Sequence, residues 1–308
     1  MTPDTASPHA RVHPLLVHAA LFCVSLLFGA NYIVAKVALR EITPLDLVVF
    51  RASATAAILF VALKLRSRSV APPKLSATDL RQLFLYSLLG VSVNQLCFLE
   101  GLSRSTATNA SIMLVSIPIL TLAFAVMLRR ERATLTGVLG IVIGLTGALL
   151  LIIPRGGVDL SSRTTAGNLF LLAGGASYAM YLVLTRGLLA RHEPLRVISW
   201  VFLFSALTVF PFGAPGMREL MNSGISTAGW ASIAYAIVGG TVLPYLLNNW
   251  ALVRAKSSLV AVYVLLQPVV AGSMGRIFLH EQLAPHTAIA AVLVVSGVVL
   301  SGWRRGTT

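Results

Sequence analysis

Acidic side chains are scarce in this chain. There are 10 aspartates and glutamates in 308 residues, beside 24 lysines and arginines, and charged residues of both signs reach only 11%. Ordinary soluble domains carry about 25%. A formal net charge of +14 would suit a nucleic-acid partner only if the basic residues clustered on a folded polar face, and here they fall between apolar runs. Cysteine is nearly missing too: Cys23 and Cys97 both sit inside apolar runs, which excludes a disulfide framework or a thiolate metal site. No helix-borne HExxH and no paired carboxylate or nucleophile-base set occurs within an apolar run. No histidine grouping has metal-ligand spacing; His192, His280 and His286 are expected to be solvated near span ends. The chain is therefore not expected to be an enzyme, to carry a cofactor or metal, or to bind nucleic acid.

What the chain has in abundance is apolar length: 56% of its residues are hydrophobic and the mean hydropathy is +0.84. About 20 mostly apolar residues cross a bilayer. Ten such runs begin near Leu15, Pro44, Leu80, Ala107, Leu135, Gly167, Leu195, Gly229, Ser257 and Pro285. Breaker-rich stretches such as "SRSVAPPKLSATD" and "PRGGVDLSSRTTAGN" separate them. The opening "MTPDTASPHARVHP" precedes no compact signal-peptide core or cleavage site, so the first run is expected to be retained as a span.

Lysine and arginine concentrate in cytoplasmic loops. With the N-terminus inside, 16 of the 24 basic residues fall inside and 6 outside, while Arg51 and Arg276 lie within spans. Both termini are expected in the cytoplasm, in a multi-pass protein of a bacterial-type inner membrane.

The stretch "SIPILTLAFAVMLRRE" has a distant echo in "LLQPVVAGSMGRIFLHE": Pro268 follows Pro118, and Glu281 follows Glu131, by 150 positions. The same offset joins Lys36 to Arg186, Pro44-Leu45 to Pro194-Leu195, Gly90 to Gly240, Arg104 to Arg254 and Gly147 to Gly297. The chain reads as two halves of five spans. Because five is odd, the second half enters the membrane from the opposite side, and the halves are inverted about an axis in the membrane plane. Inverted repeats around a midplane site are the recurring build of secondary transporters. A receptor or scaffold has no need of them.

The segments "LLFGANYIVAKVAL", "TPLDLVVFR", "TATNASIMLVSIPILTLAFAVMLRRERAT" and "YLLNNWALVRAKSSLVAVYVLLQPVVAGSMGRIFLHEQL" resemble the two EamA-type repeats of the drug/metabolite transporter superfamily. Phe28-Gly29, Arg130-Glu131 and His280-Glu281 stand where that family usually has Trp-Gly and two Gly-Glu pairs. The resemblance implies an all-α integral membrane fold of ten helices, with an N-terminal cytoplasmic tail over 1–14 and five-helix repeats over 15–153 and 165–303. It further implies an exporter of amino acids or related metabolites, with a cavity lined mainly by spans 1, 3, 4, 6, 8 and 9. The alternative within the superfamily is a sugar-phosphate or nucleotide-sugar carrier.

Polar side chains inside spans are costly and usually face a bundle interior or a pathway. Those of the six named spans are Asn31, Asn94, Gln95, Asn109, Ser116, Ser177, Tyr178, Tyr181, Tyr245, Asn248, Asn249, Tyr263 and Gln267. Taken as a set they are expected to line a solute pathway, although any one of them is as readily a helix-helix hydrogen bond. Pro118 and Pro268 each free a carbonyl one turn earlier, giving a kink that is either fixed or part of a gate. Glu131 and Glu281 are expected to satisfy backbone donors at a following helix start. Arg51 is expected to snorkel to the outer interface, with Asp46 as its partner. Since the six span middles hold no basic or acidic residue, the expected solute is small and neutral or zwitterionic.

Overall fold

The structure is a computed structural model that describes residues 13–66, 75–105, 110, 113–152, 162–270, 273 and 286–302. Its helices follow the apolar runs. They are α1 (Pro14–Ala38), α2 (Pro44–Arg66), α3 (Ala77–Arg104), α4 (Ile117–Met127), α5 (Leu135–Ile152), α6 (Ser162–Leu189), α7 (Pro194–Ser223), α8 (Thr227–Leu252), α9 (Ser257–Val270) and α10 (His286–Gly302). No strand occurs among the described residues. Proline opens α1, α2 and α7, where its missing N–H costs no helical bond and its fixed φ suits the first turn. Ser76 starts α3 in a reciprocal cap with Asp79, at 3.1 and 3.2 Å, and Ser226 starts α8 by accepting from Gly229 N at 3.0 Å. Six helices are long and apolar enough to span a bilayer, while the described parts of α4, α5, α9 and α10 are shorter. The short ones are the last two of each half.

Packing obeys the same exchange of n for n+5. The principal pairs α2/α7, α4/α9 and α5/α10 map onto themselves, and α3/α6 maps onto α1/α8. Side chains at the helix ends sort to two faces. On one, Arg66 pairs with Glu193 at 2.8 Å, and Asp79 meets Arg191 and His192, both at 3.1 Å. On the other, Glu41 accepts from Ser226 N and Oγ at 2.8 and 2.6 Å, bonds that hold its carboxyl below the usual range. His192 thus departs from expectation. Its side chain is only 9% exposed, packed on Asp79 rather than solvated.

Pro118 and Pro268 each disturb the helix before them, because the ring collides with the carbonyl four residues back. Ahead of Pro118 the chain turns at Val115-Ser116, with Ser116 N bonded to Met113 O at 3.1 Å. Ahead of Pro268, Tyr263–Leu266 tightens into a 3₁₀ turn. Beyond α4, Arg129 takes the left-handed conformation (φ 55°), and the N–H groups of Arg130 and Glu131 return to Ala125 O at 2.8 and 3.1 Å. That turn carries Glu131, 8% exposed, to the start of α9. There it accepts from the Ser257 and Ser258 hydroxyls and from Ser258 N. The carboxylate caps a helix after all, but the helix is α9 of the other half instead of the next in sequence. Lys256 at the α9 N-cap supplies no side-chain cap of its own. Glu281 and Arg276 lie outside the described residues.

Candidate functional site

The site begins with two helical defects. In α3, Leu88–Ser92 widens into one π turn, and in α8 Val238–Val242 does the same, 150 positions later. A π turn displaces the bonding ladder by one residue and leaves carbonyls free for other donors, which is why such turns recur at functional sites. Both are centred on glycine. A Cβ on Gly90 would strike the Tyr181 ring, and one on Gly240 would strike the Asn31 amide. Tyr181 and Asn31 are themselves repeat equivalents, so the same interlock is built twice from different side chains. The two central carbonyls also meet different side chains: Gly90 O accepts from Tyr245 OH at 2.6 Å, and Gly240 O from Arg51 Nη2 at 2.8 Å.

Between these defects lies a cavity of about 550 Å³, counting its open mouth. Asn31, Asn94 and Gln95 line it from the first repeat, and Tyr178, Tyr245 and Gln267 from the second. A smaller, tighter space of about 240 Å³ adjoins it, bounded by Tyr178 and Gln267 again and by Asn248, Tyr263 and Ser25. Tyr178 stands between the two spaces, with its hydroxyl accepting from Asn248 Nδ2 at 2.7 Å.

Four predicted lining residues border neither space. Ser116 bonds to Met113 O at 2.5 Å. Tyr181 and Asn249, 1% and 0% exposed, bond to each other between α6 and α8. Ser177 likewise bonds across helices, to Leu89 O at 2.7 Å. Asn109 falls outside the described residues. Pro118 and Pro268 lie directly after the irregular turns whose residues Leu114 and Val264 touch the cavity.

Arg51 does not snorkel. It is 3% exposed, it donates through Nε to Thr241 Oγ1 at 2.8 Å as well as to Gly240 O, and it lines the cavity. Asp46 accepts from Thr43 at 2.6 Å instead. Pro244 explains the inward choice, since it stands four residues after Gly240 and has no N–H to give that carbonyl, which leaves a buried acceptor beside the π turn. The cavity therefore contains a basic residue, contrary to expectation, contributed by α2 and not by the six spans that were expected to line it.

Aromatic residues were also missed. Phe28, Tyr32 and Phe98 line the cavity, Tyr32 OH donates to Gln267 Oε1 at 3.0 Å, and the Tyr32 and Phe98 rings meet edge to face at 5.6 Å. Their signal was periodic: positions 28, 31 and 32, and likewise 94, 95 and 98, share one helix face. His18, half-buried near the start of α1, lies 2.5 Å from Tyr263 OH.

An all-helical, multi-pass membrane protein whose inverted halves enclose a cavity lined from both repeats has the architecture of a secondary transporter. The sequence matches the EamA-like transporter family over residues 15–153 and 165–303, and the chain belongs to that family. It is 26% identical to an uncharacterized transporter of Archaeoglobus fulgidus, covering 92% of this chain and 96% of that one. It is 27% identical to the uncharacterized transporter YcxC of Bacillus subtilis, covering 93% and 92%. The WAT1-related protein At3g18200 of Arabidopsis thaliana is 28% identical over 75% of this chain and 67% of its own. A solved crystal structure superposes with a TM-score of 0.76 at 18% identity, over 94% of this chain and 97% of that one, and so shares the fold.

Proposed function

We propose that the protein exports a small zwitterionic or neutral metabolite, amino acids being the leading class, by alternating access across the inner membrane of a bacterial-type cell. The observation that carries this reading is the cavity itself. It sits where the two repeats meet, draws its amides and phenols from both, and pairs them with aromatic surface suited to an apolar side chain. Exchange of conformation between similar halves would close it on one side and open it on the other. Among the described residues the only cation on its wall is Arg51, which balances one negative charge. A phosphate monoester carries about −1.5 to −2, and burying the excess unpaired is unfavourable. Amino acids are therefore preferred over sugar phosphates.

Counterflow in proteoliposomes loaded with leucine is expected to proceed with and without an imposed proton gradient, changing less than about twofold, because among the described residues the cavity wall holds no carboxylate or histidine to relay a proton. Strict dependence on the gradient, or preferential exchange of phosphorylated solutes, would show the reading to be wrong. Orientation has its own test. With Cys23 and Cys97 replaced, a cysteine at position 66 is expected to react only from the cytoplasm and one at position 40 only from outside. Labelling of residue 66 from outside would overturn the assigned orientation.

A further inference from the structure

We infer that the cavity is a carboxylate site and that Arg51 is its anion-binding residue. This rests on the reading of that cavity as a solute site and deepens it. The guanidinium is held from behind by two hydrogen bonds, Nε to Thr241 and Nη2 to Gly240 O, while Nη1 is buried with no partner. No ion pair joins Arg51 to any carboxylate among the described residues. A buried charge without a counter-ion is costly unless something outside the chain supplies one.

Anchoring the π turn does not explain the charge. The equivalent turn in the first repeat is satisfied by a neutral group, Tyr245 OH on Gly90 O, and the repeat equivalent of Arg51 is Val201, fully buried. The fold thus accepts an apolar residue at this register and a hydroxyl on this kind of carbonyl. Arginine at 51 adds a cation that no carboxylate among the described residues pairs with and that faces the cavity.

Its neighbours complete a recognition set. Asn31 Oδ1, pressed against the Gly240 backbone whose carbonyl Arg51 holds, also lacks a partner, and neither amide atom of the 3% exposed Gln95 forms a hydrogen bond of ordinary geometry. The unpartnered Arg51 Nη1 as donor for a carboxylate and acceptor oxygens for an ammonium therefore belong to residues that border one space, with the rings of Phe28, Tyr32 and Phe98 beside them. These polar atoms are closed to water in this conformation, so the site forms on a movement that opens them toward the cavity.

Three probes of one shape separate the charges: leucine, leucinamide, which lacks the carboxylate, and 4-methylpentanoate, which lacks the ammonium. Each is measured by thermal stabilisation of the purified protein and by competition in leucine counterflow. In the wild type both carboxylates are expected to bind roughly tenfold to a hundredfold more tightly than the amide, the worth of a charge-assisted hydrogen bond. Arg51→Gln is expected to collapse that ratio toward one, while Arg51→Lys keeps part of it. Because the ratio is taken within a single variant, a general loss of stability does not move it. A wild type without carboxylate preference, or an Arg51→Gln protein that keeps the preference, overturns the inference. Stabilisation by carboxylates without counterflow would instead overturn the transport reading and leave the anion site standing. Counterflow that ignores the carboxylate would do the reverse.

Discussion

Gly297→Leu is expected to leave little folded protein in the membrane, lowering stability by about 3 kcal/mol or more, at the upper end of overpacking costs. A Cβ at this position would lie 2.6 Å from Gly140 O and from Gly144 Cα, and closer still to Gly144 N. These are backbone atoms and cannot swing aside. Gly140 and Gly147 make the reciprocal approaches to Ser301 and Ala290, so α5 and α10 touch backbone to backbone along several turns. In lipid no hydrophobic force holds two apolar helices together, and close packing through small residues is what remains. A leucine there must separate the pair. Val292→Leu on the same helix is the control. That side chain is 66% exposed to the lipid-facing surface, and its replacement is expected to stay within about 0.5 kcal/mol. Fluorescence-detected size exclusion after heating measures both. A Gly297→Leu protein melting within a few degrees of wild type would mean that this helix contact does not support the fold.

The glycines of that contact show what kind of information the sequence held. Gly147 and Gly297 were visible as a repeat pair because a fixed offset of 150 is a property of the string. The helix starts were visible for a similar reason: prolines, serine caps and hydropathy act within a few residues of where they stand. Partners across the pseudo-axis were not visible. Glu131 reads as a capping carboxylate from its position at a span end, yet nothing local says that it caps α9. Arg51 reads as a residue that could reach water, and nothing near it in the sequence says that Gly240 O, left without a helical donor by Pro244 six helices later, turns it inward. The π turns themselves are written in glycines that any tight helix contact would also require. Of the polar set, Tyr181 and Asn249 looked no different in sequence from Tyr178 and Asn248. One rotation step along the same two helices decides which pair meets the cavity and which fills the seam between helices.

That rotation yields the sharpest test of the cavity. Tyr178→Phe and Tyr245→Phe are each expected to cut leucine counterflow by about tenfold while the protein still folds, and Tyr181→Phe is expected to cost stability but little transport. All three remove only a hydroxyl and keep the ring. Tyr245 packs edge to face against Phe202 at 5.1 Å and near Phe28 and Tyr178, so an alanine would open a hole costing about 3–5 kcal/mol and confuse folding with function. Without its hydroxyl, Tyr245 loses its bond to Gly90 O beside the cavity, a change of roughly 0.5–1.5 kcal/mol placed where the π turn shapes the wall. Without its hydroxyl, Tyr178 releases Asn248 Nδ2, the link at the boundary between the large and small spaces and hence on any path joining them. Tyr181 and Asn249 satisfy one another away from both, so that pair bears on helix packing alone. Initial counterflow rates normalised to folded protein, set beside melting temperatures, separate the two outcomes. If Tyr181→Phe slows transport as much as Tyr178→Phe at equal stability, the polar set acts as helix glue throughout and the cavity is not the path.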